Sequence, residues 1–422
     1  MLYIKNGHII DPGSGIDEIR DIFIKDGKIA PSADCPDNLN GVRVIDAEGL
    51  IVAPGLVDMH VHLRDPGFTY KEDIITGAMA AAAGGVTTMA CMPNTAPVID
   101  SADTVKYVLD KAKIAPVNVL PYGAVTIGQQ GMALTDMQSL KNAGAVALSD
   151  DGMPVESAAL MRRALQAAKE LDLLISSHCE YSDMVGNYAV NEGAISQKLQ
   201  ISGRPAIAEE LMVARDAMLA AETGAKIHIA HVSTAGSVEI IRRAKSEGVK
   251  ITAETCPQYF TLTEEEIIKQ GAVARVNPPL RTEKDRRAII AGLADGTIDA
   301  IATDHAPHSA EEKAMSLTAA PSGMVGLETS LALALTMLYH TEKFTINEII
   351  KLMSTNPANI LSISKGRIAE GNDGDIVIFD PNEKWTVNPE NFKSKGKNTP
   401  FSGMGLIGRV KYTVVSGKVV YE

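Results

Sequence analysis

The stretch that decides the fold is Gly55–Gly67, "GLVDMHVHLRDPG". Leu56, Val57, Met59, Val61 and Leu63 give it the apolar content of a buried strand, and Asp65-Pro66-Gly67 ends it in a turn. Yet Asp58, His60 and His62 stand inside it, and Arg64 follows directly. Side chains alternate across a strand, so Asp58, His60 and His62 share one face. The expectation is that this polar face looks toward a barrel mouth, while Met59, Val61 and Leu63 pack outward.

Seven further candidate strands follow, at 85–93, 117–126, 145–151, 173–180, 226–232, 250–257 and 298–304. Helical patterns lie between them, such as "YKEDIITGAMAAAAG", "ESAALMRRALQAAKE", "AEELMVARDAMLAAETG" and "SVEIIRRAKSEG". Several close on glycine, a frequent helix terminator. Eight strand–helix units over ~250–300 residues match the size of a (β/α)8 TIM-type barrel, an α/β fold. The two ends differ from this middle. Residues 1–54 and 365–422 carry short strands broken by Asn-Gly, Asp-Gly and Ser-Gly, the chemistry of hairpins. Two domains are therefore expected: a small β-sandwich from 1–54 plus 365–422, and a barrel spanning 55–364.

The 422 residues are 45% hydrophobic and 22% charged, as in a soluble globular enzyme. A net charge of −12 argues against nucleic acid or an anionic membrane as partner. No signal-like segment opens the chain, and no apolar run approaches the ~20 residues of a spanning helix. Cys35, Cys91, Cys179 and Cys256 are scattered, which fits a reducing cytoplasm better than a disulfide framework.

Polar residues gather where the strands end, which is where barrel enzymes keep their chemistry. The first strand ends in His60 and His62, the second in "CMPNT" with Asn94, and the fourth in "SDDG" with Asp150 and Asp151. The fifth ends in "SSHCE" with His178, the sixth in "AHVS" with His231, and the eighth in "ATDHAPH" with Asp304, His305 and His308. Alternation lets only one of Asp150 and Asp151 face inward. It also sets His228 opposite His231, packed against helices. Burying this many titratable groups without a partner would be costly. Imidazole with carboxylate is a ligand set for zinc and related divalent ions. A single zinc needs about three protein ligands; His60, His62, Asp151, His178, His231 and Asp304 supply enough for two. For Asp58, His228 and His305 a structural role is the simpler expectation.

"PGLVDMHVHLRDPG" with "CMPNT", "SHCE", "AHVS" and "ATDHAPH" resembles the amidohydrolase superfamily, and within it the dihydroorotases of the class I bacterial type. The similarity spans nearly the whole chain. It implies reversible cyclisation of N-carbamoyl-L-aspartate to L-dihydroorotate and water, in pyrimidine biosynthesis. It implies two zinc ions per subunit, one on His60, His62 and Asp304, the other on His178 and His231, bridged by Asp151 and a hydroxide. Many relatives bridge with a carboxylated lysine. "GAVALSDDG" has none, which argues against the similar dihydropyrimidinases, hydantoinases and allantoinases.

The resemblance makes Asp304 the general base that takes the proton of the attacking hydroxide and returns it to the leaving nitrogen. Arg64 would meet the substrate's α-carboxylate with its planar fork, with Asn94, His308 and the ligand His62 beside it. Asn277 would meet the pyrimidine edge, and Ser322 and Gly323 would offer backbone contacts. The simpler alternatives are an Arg64–Asp65 salt bridge and turn roles for Asn94 and Asn277. The segment 308–329 after the eighth strand is expected to close as a lid. A homodimer and an association with aspartate transcarbamoylase are also implied. A non-catalytic scaffold is the rival from another class, though such proteins typically lose ligands that this chain keeps.

Overall fold

Parallel strands cannot be joined by tight turns, so each needs a crossover that returns the chain to the same edge. The computed structural model, which describes residues 1–36, 38–341 and 344–422, solves this eight times. Leu56–Val61, Val86–Cys91, Asn118–Gly123, Ala147–Ser149, Ile175–Ser177, Ile227–Ile229, Ile251–Thr255 and Ala300–Ile301 lie side by side in chain order. Neighbours pair in parallel throughout. A parallel bridge from Val61 to His305 joins the first strand to the segment leaving the eighth, so the barrel nearly closes. Every strand expected from the sequence is present, although the last is only two residues long.

The crossover helices begin where a side chain can satisfy free backbone N–H groups. Asp73 caps Ile74–Ala83, Ser157 caps Ala158–Glu170 and Thr234 caps Ala235–Ser246. Ile207–Thr223 stops at Gly224, which takes the left-handed conformation that glycine adopts without strain. Strand residues facing these helices, such as Val61, Met89, Leu148, Ile175 and Ile229, join the largest core cluster. Val57, Ala90, Tyr122, Ala147 and Ala300 form a second cluster inside the barrel.

Met59 belongs to that interior cluster and does not pack outward as expected. The pairing register between the first two strands shifts between Asp58 and Val61, so strict alternation fails there. Val61 and Leu63 do pack outward.

Strands from both chain ends build two more sheets. Leu2–Lys5, Ile22–Lys25, Lys28–Ala30 and Arg43–Asp46 form a four-stranded sheet. His8–Asp11, Ile16–Ile19 and Ile51–Pro54 join Ile376–Thr386, Gly405–Val415 and Lys418–Tyr421 in a six-stranded one. Alternation sorts the second sheet cleanly. Ile9, Val52, Ile376 and Ile378 pack on the four-stranded sheet. Ile10, Ile51, Ala53, Val377 and Phe379 pack into the core shared with the barrel. Among the described residues no helix is long and apolar enough to cross a membrane.

Candidate metal centre and substrate cavity

Buried imidazoles need acceptors or a cation, and here four of them converge on one carboxylate. Asp151 lies 3.3 Å from His60 Nε2, 3.4 Å from His62 Nε2, 3.5 Å from His178 Nδ1 and 3.5 Å from His231 Nε2. His60, His62 and Asp151 form one group with the spacing of metal ligands, and Asp151, His178 and His231 form another. Asp304 completes the ring, 2.9 Å from His62 Nε2 and 3.7 Å from His60 Nε2.

The fourth strand ends so that its paired acids part. Asp150 accepts from the backbone N–H groups of Val125 and Thr126 and from the Thr126 hydroxyl, which fixes the third strand's tip. Asp151 is left for the histidines.

Three features fit a pair of cations. His60 Nε2 and Asp151 Oδ1 are buried with no hydrogen-bond partner. His178 Nδ1 and His231 Nε2 face each other at 2.8 Å, two imidazole nitrogens aimed at one place. The cluster also attracts positive charge. Burial pushes His60 down, but Asp151 and Glu254 outweigh it and hold its pKa well above the ordinary imidazole value. Burial likewise pushes His178 down, and Asp151 and Glu180 lift it to about 9. A divalent cation would replace the protons that these ligands otherwise attract.

His62, Asp151, His178, His231 and Asp304 line a cavity of about 160 Å³ together with Arg64, Asn94, Asn277, His308, Ser322 and Gly323. All the residues expected at the site from the sequence therefore meet at this cavity except His60, which is fully buried behind it. Asp65 is engaged by Lys111 at 2.9 Å and by the Tyr107 hydroxyl, so Arg64 is not its partner. Arg64 donates from Nε to the Pro307 carbonyl, and among the described residues no carboxylate pairs with it. Asn94 accepts from His62 Nδ1 at 2.9 Å. Asn277 accepts from the Ser322 hydroxyl at 2.9 Å. Burial, with Arg64 and Lys71 nearby, pushes His308 down to about 3, so the neutral ring donates from Nε2 to the Ser322 carbonyl.

Segment 308–329 lies against the cavity, tied by side chains that the sequence did not single out. Lys313 donates to the carbonyls of Pro321 and Gly323 at 3.0 and 2.9 Å. Arg275 reaches the Leu317 carbonyl and the Ser322 hydroxyl.

His228 departs from expectation. It does not pack against helices; its Nε2 stands 3.4 Å from Glu254, on the barrel's inner side. The strand ends at Ile229, and His231 lies beyond it in a left-handed conformation, so alternation does not carry from one histidine to the other. Glu254 and Glu180, each beside a ligand histidine, were also missed. A carboxylate in the apolar strand "ITAET" was the available signal for Glu254. His305 has a structural place, its Nδ1 accepting from the Gly326 backbone and its Nε2 facing Glu72.

A family model described as dihydro-orotase-like matches residues 49–237. The chain is 50% identical over 422 residues to a dihydroorotase from Clostridioides difficile (strain 630), covering 100% of both chains. It is 51% identical over 420 residues to a dihydroorotase from Acetivibrio thermocellus, covering 99% of this chain and 98% of that one. Among solved structures it resembles an L-hydantoinase (dihydropyrimidinase) from Arthrobacter aurescens, with a TM-score of 0.88 at 28% identity over 100% of this chain and 96% of the other.

Proposed function

The chain belongs to the dihydroorotase family of cyclic amidohydrolases, and from that premise we propose how its own residues carry the reaction. The activity is reversible closure of N-carbamoyl-L-aspartate to L-dihydroorotate with loss of water. In our reading His60, His62 and Asp304 would hold one zinc ion and His178 and His231 the second, with Asp151 shared by both groups. Such a pair, when bound, polarises the scissile carbonyl and makes water nucleophilic at neutral pH. The observation that carries this reading is the approach of all four imidazoles to the single carboxylate of Asp151.

The remaining steps fall to side chains. Arg64 takes the substrate's α-carboxylate in a forked, charge-assisted contact. Asn94 and His308 flank that carboxylate. Asn277 and the backbone of Ser322 and Gly323 hold the ring edge. In hydrolysis Asp304 removes a proton from the attacking water and delivers it to the ring nitrogen as the C–N bond breaks. In ring closure the same carboxylate takes the proton from the carbamoyl nitrogen and returns it to the departing oxygen.

The test joins metal analysis to turnover. We expect two zinc ions per chain and turnover of dihydroorotate, but not of hydantoin or dihydrouracil. The likeness to a solved hydantoinase makes that substrate panel necessary; the opposite preference would sink the reading. Asp304→Asn should lose about 10²–10⁴-fold in kcat, the usual worth of a positioned acid–base group, while its circular dichroism stays unchanged. Retained turnover would remove Asp304 from that role. The division at 1–54 plus 365–422 and 55–364, a homodimer, association with aspartate transcarbamoylase and a cytoplasmic setting belong to the same proposal. Their support is the sequence reading and kinship, and sedimentation with and without transcarbamoylase checks both associations.

A further inference from the structure

An imidazole binds a cation through one nitrogen only if the other holds the proton, and the partner of that second nitrogen fixes both tautomer and ring orientation. The four histidines of the centre differ sharply in this respect. His60 Nδ1 is 2.6 Å from Glu254 Oε1, a direct bond to a buried carboxylate. His62 Nδ1 meets only the amide oxygen of Asn94. His178 Nε2 is 3.6 Å from Glu180, and His231 Nδ1 is buried with no hydrogen-bond partner.

We propose that Glu254 is the positioning residue of this centre, orienting His60 so that Nε2 faces the cation and adding negative charge behind it. Glu254 stands on the strand Ile251–Thr255, with 1% of its surface exposed. On its other side His228 Nε2 stands 3.4 Å from its second oxygen, within ion-pair reach but not hydrogen-bonded, and His228 Nδ1 is 2.9 Å from the Thr252 hydroxyl. Thr252, His228, Glu254 and His60 thus form a line across neighbouring strands that ends at the orphaned Nε2 of His60. The line rests on rigid strands, where a ligand is held more accurately than on a loop.

This inference rests on the two-cation reading above, and the experiment separates the two. Zinc affinity is measured by competition with a chromogenic chelator for the wild type, Glu254→Gln and Glu254→Ala, and each metal-free protein is melted in parallel. Glutamine keeps the shape and an acceptor but loses the charge; alanine loses both. We expect zinc to bind about 10-fold more weakly to the glutamine variant and about 100-fold more weakly to the alanine variant. Metal-free Glu254→Gln should lose less in melting temperature than the zinc-loaded variant, since the bond to His60 is weakened in both forms but only the loaded one also loses the charge behind the cation. Affinities within about twofold of wild type would overturn the proposal. So would a metal-free Glu254→Gln destabilised as much as the zinc-loaded one, because the role would then be structural. A wild type that binds no zinc would instead overturn the two-cation reading itself.

Discussion

Arg64, His231 and Asp304 share a backbone conformation that is uncommon for side chains of their kind, with φ of 58°, 36° and 47°. Such residues cost of order 1–3 kcal/mol each, and they persist where the surroundings fix them. All three lie just past a strand end and line the cavity, so the strain sits where side chains must turn inward. This is why residue types were legible in the sequence while some directions were not. His60 and His62 lie within or next to a strand and follow its period; His231 and Asp304 follow a turn that no period describes. For Arg64 the turned backbone aims a guanidinium at the cavity, where Nε donates to the Pro307 carbonyl, a terminal nitrogen stands 3.4 Å from His308 Nε2, and among the described residues no carboxylate pairs with it. Its fork is free for an anion. Arg64→Ala should therefore raise KM for dihydroorotate at least about 10-fold, the worth of a charge-assisted contact of ~1.5–3 kcal/mol, and move kcat less. Arg64→Lys should restore little, because a point charge cannot fork. Steady-state kinetics decide; an unchanged KM would refute the assignment.

At the scale of elements, the eight strands and their helices were legible because each carries its own local signal: apolar runs for the walls, capping residues for the helices. What the sequence could not convey is how the segment after the last strand is held, since its ties, within the segment and to Arg275, follow no helix or strand period. Lys313 is the clearest case. Its ammonium is buried at 7% exposure against the carbonyls of Pro321 and Gly323. Burial, with the Arg275 charge adding to it, pushes its pKa down to about 7. In the unfolded chain the group titrates near ~10.4. Between about pH 7 and pH 10 the unfolded state therefore binds the extra proton, and this residue makes stability rise with pH; below about pH 7 both states are protonated and the full cost of burial is present. Lys313→Met removes that contribution. Urea midpoints at pH 7, 8 and 9 should climb less in the variant than in the wild type, and parallel slopes would show that Lys313 is not buried as a charged group. The variant also takes the ammonium from the Pro321 carbonyl and leaves the Gly323 carbonyl to Asn398 Nδ2, loosening both neighbours of Ser322, so its KM should rise at every pH.

At the scale of the molecule, both chain ends were recognisable as strands and hairpins, but their pairing was not, because strand partners are chosen by burial across hundreds of residues. Ile51–Pro54 pairs with Ile376–Thr386, and the resulting sheet is apolar on both faces. One face packs on the N-terminal four-stranded sheet; the other carries Val377 and Phe379 into the core that contains the barrel's helices. A barrel cut away from this sheet would expose that core, so the two should unfold as one unit. Phe379 tests this, being fully buried on the barrel-facing side. Phe379→Ala should destabilise by about 3–5 kcal/mol, the usual range for deleting a buried aromatic ring. The chain's single tryptophan makes the readout specific. Trp385 lies in the same strand and donates to the Gly408 carbonyl, so its fluorescence reports the terminal sheet, while dihydroorotate turnover reports the barrel. In denaturant both signals should move together to a lower midpoint in the variant. A fluorescence transition that shifts alone, with turnover unmoved, would mean that the barrel stands without the sheet and that their shared core contributes little to its stability.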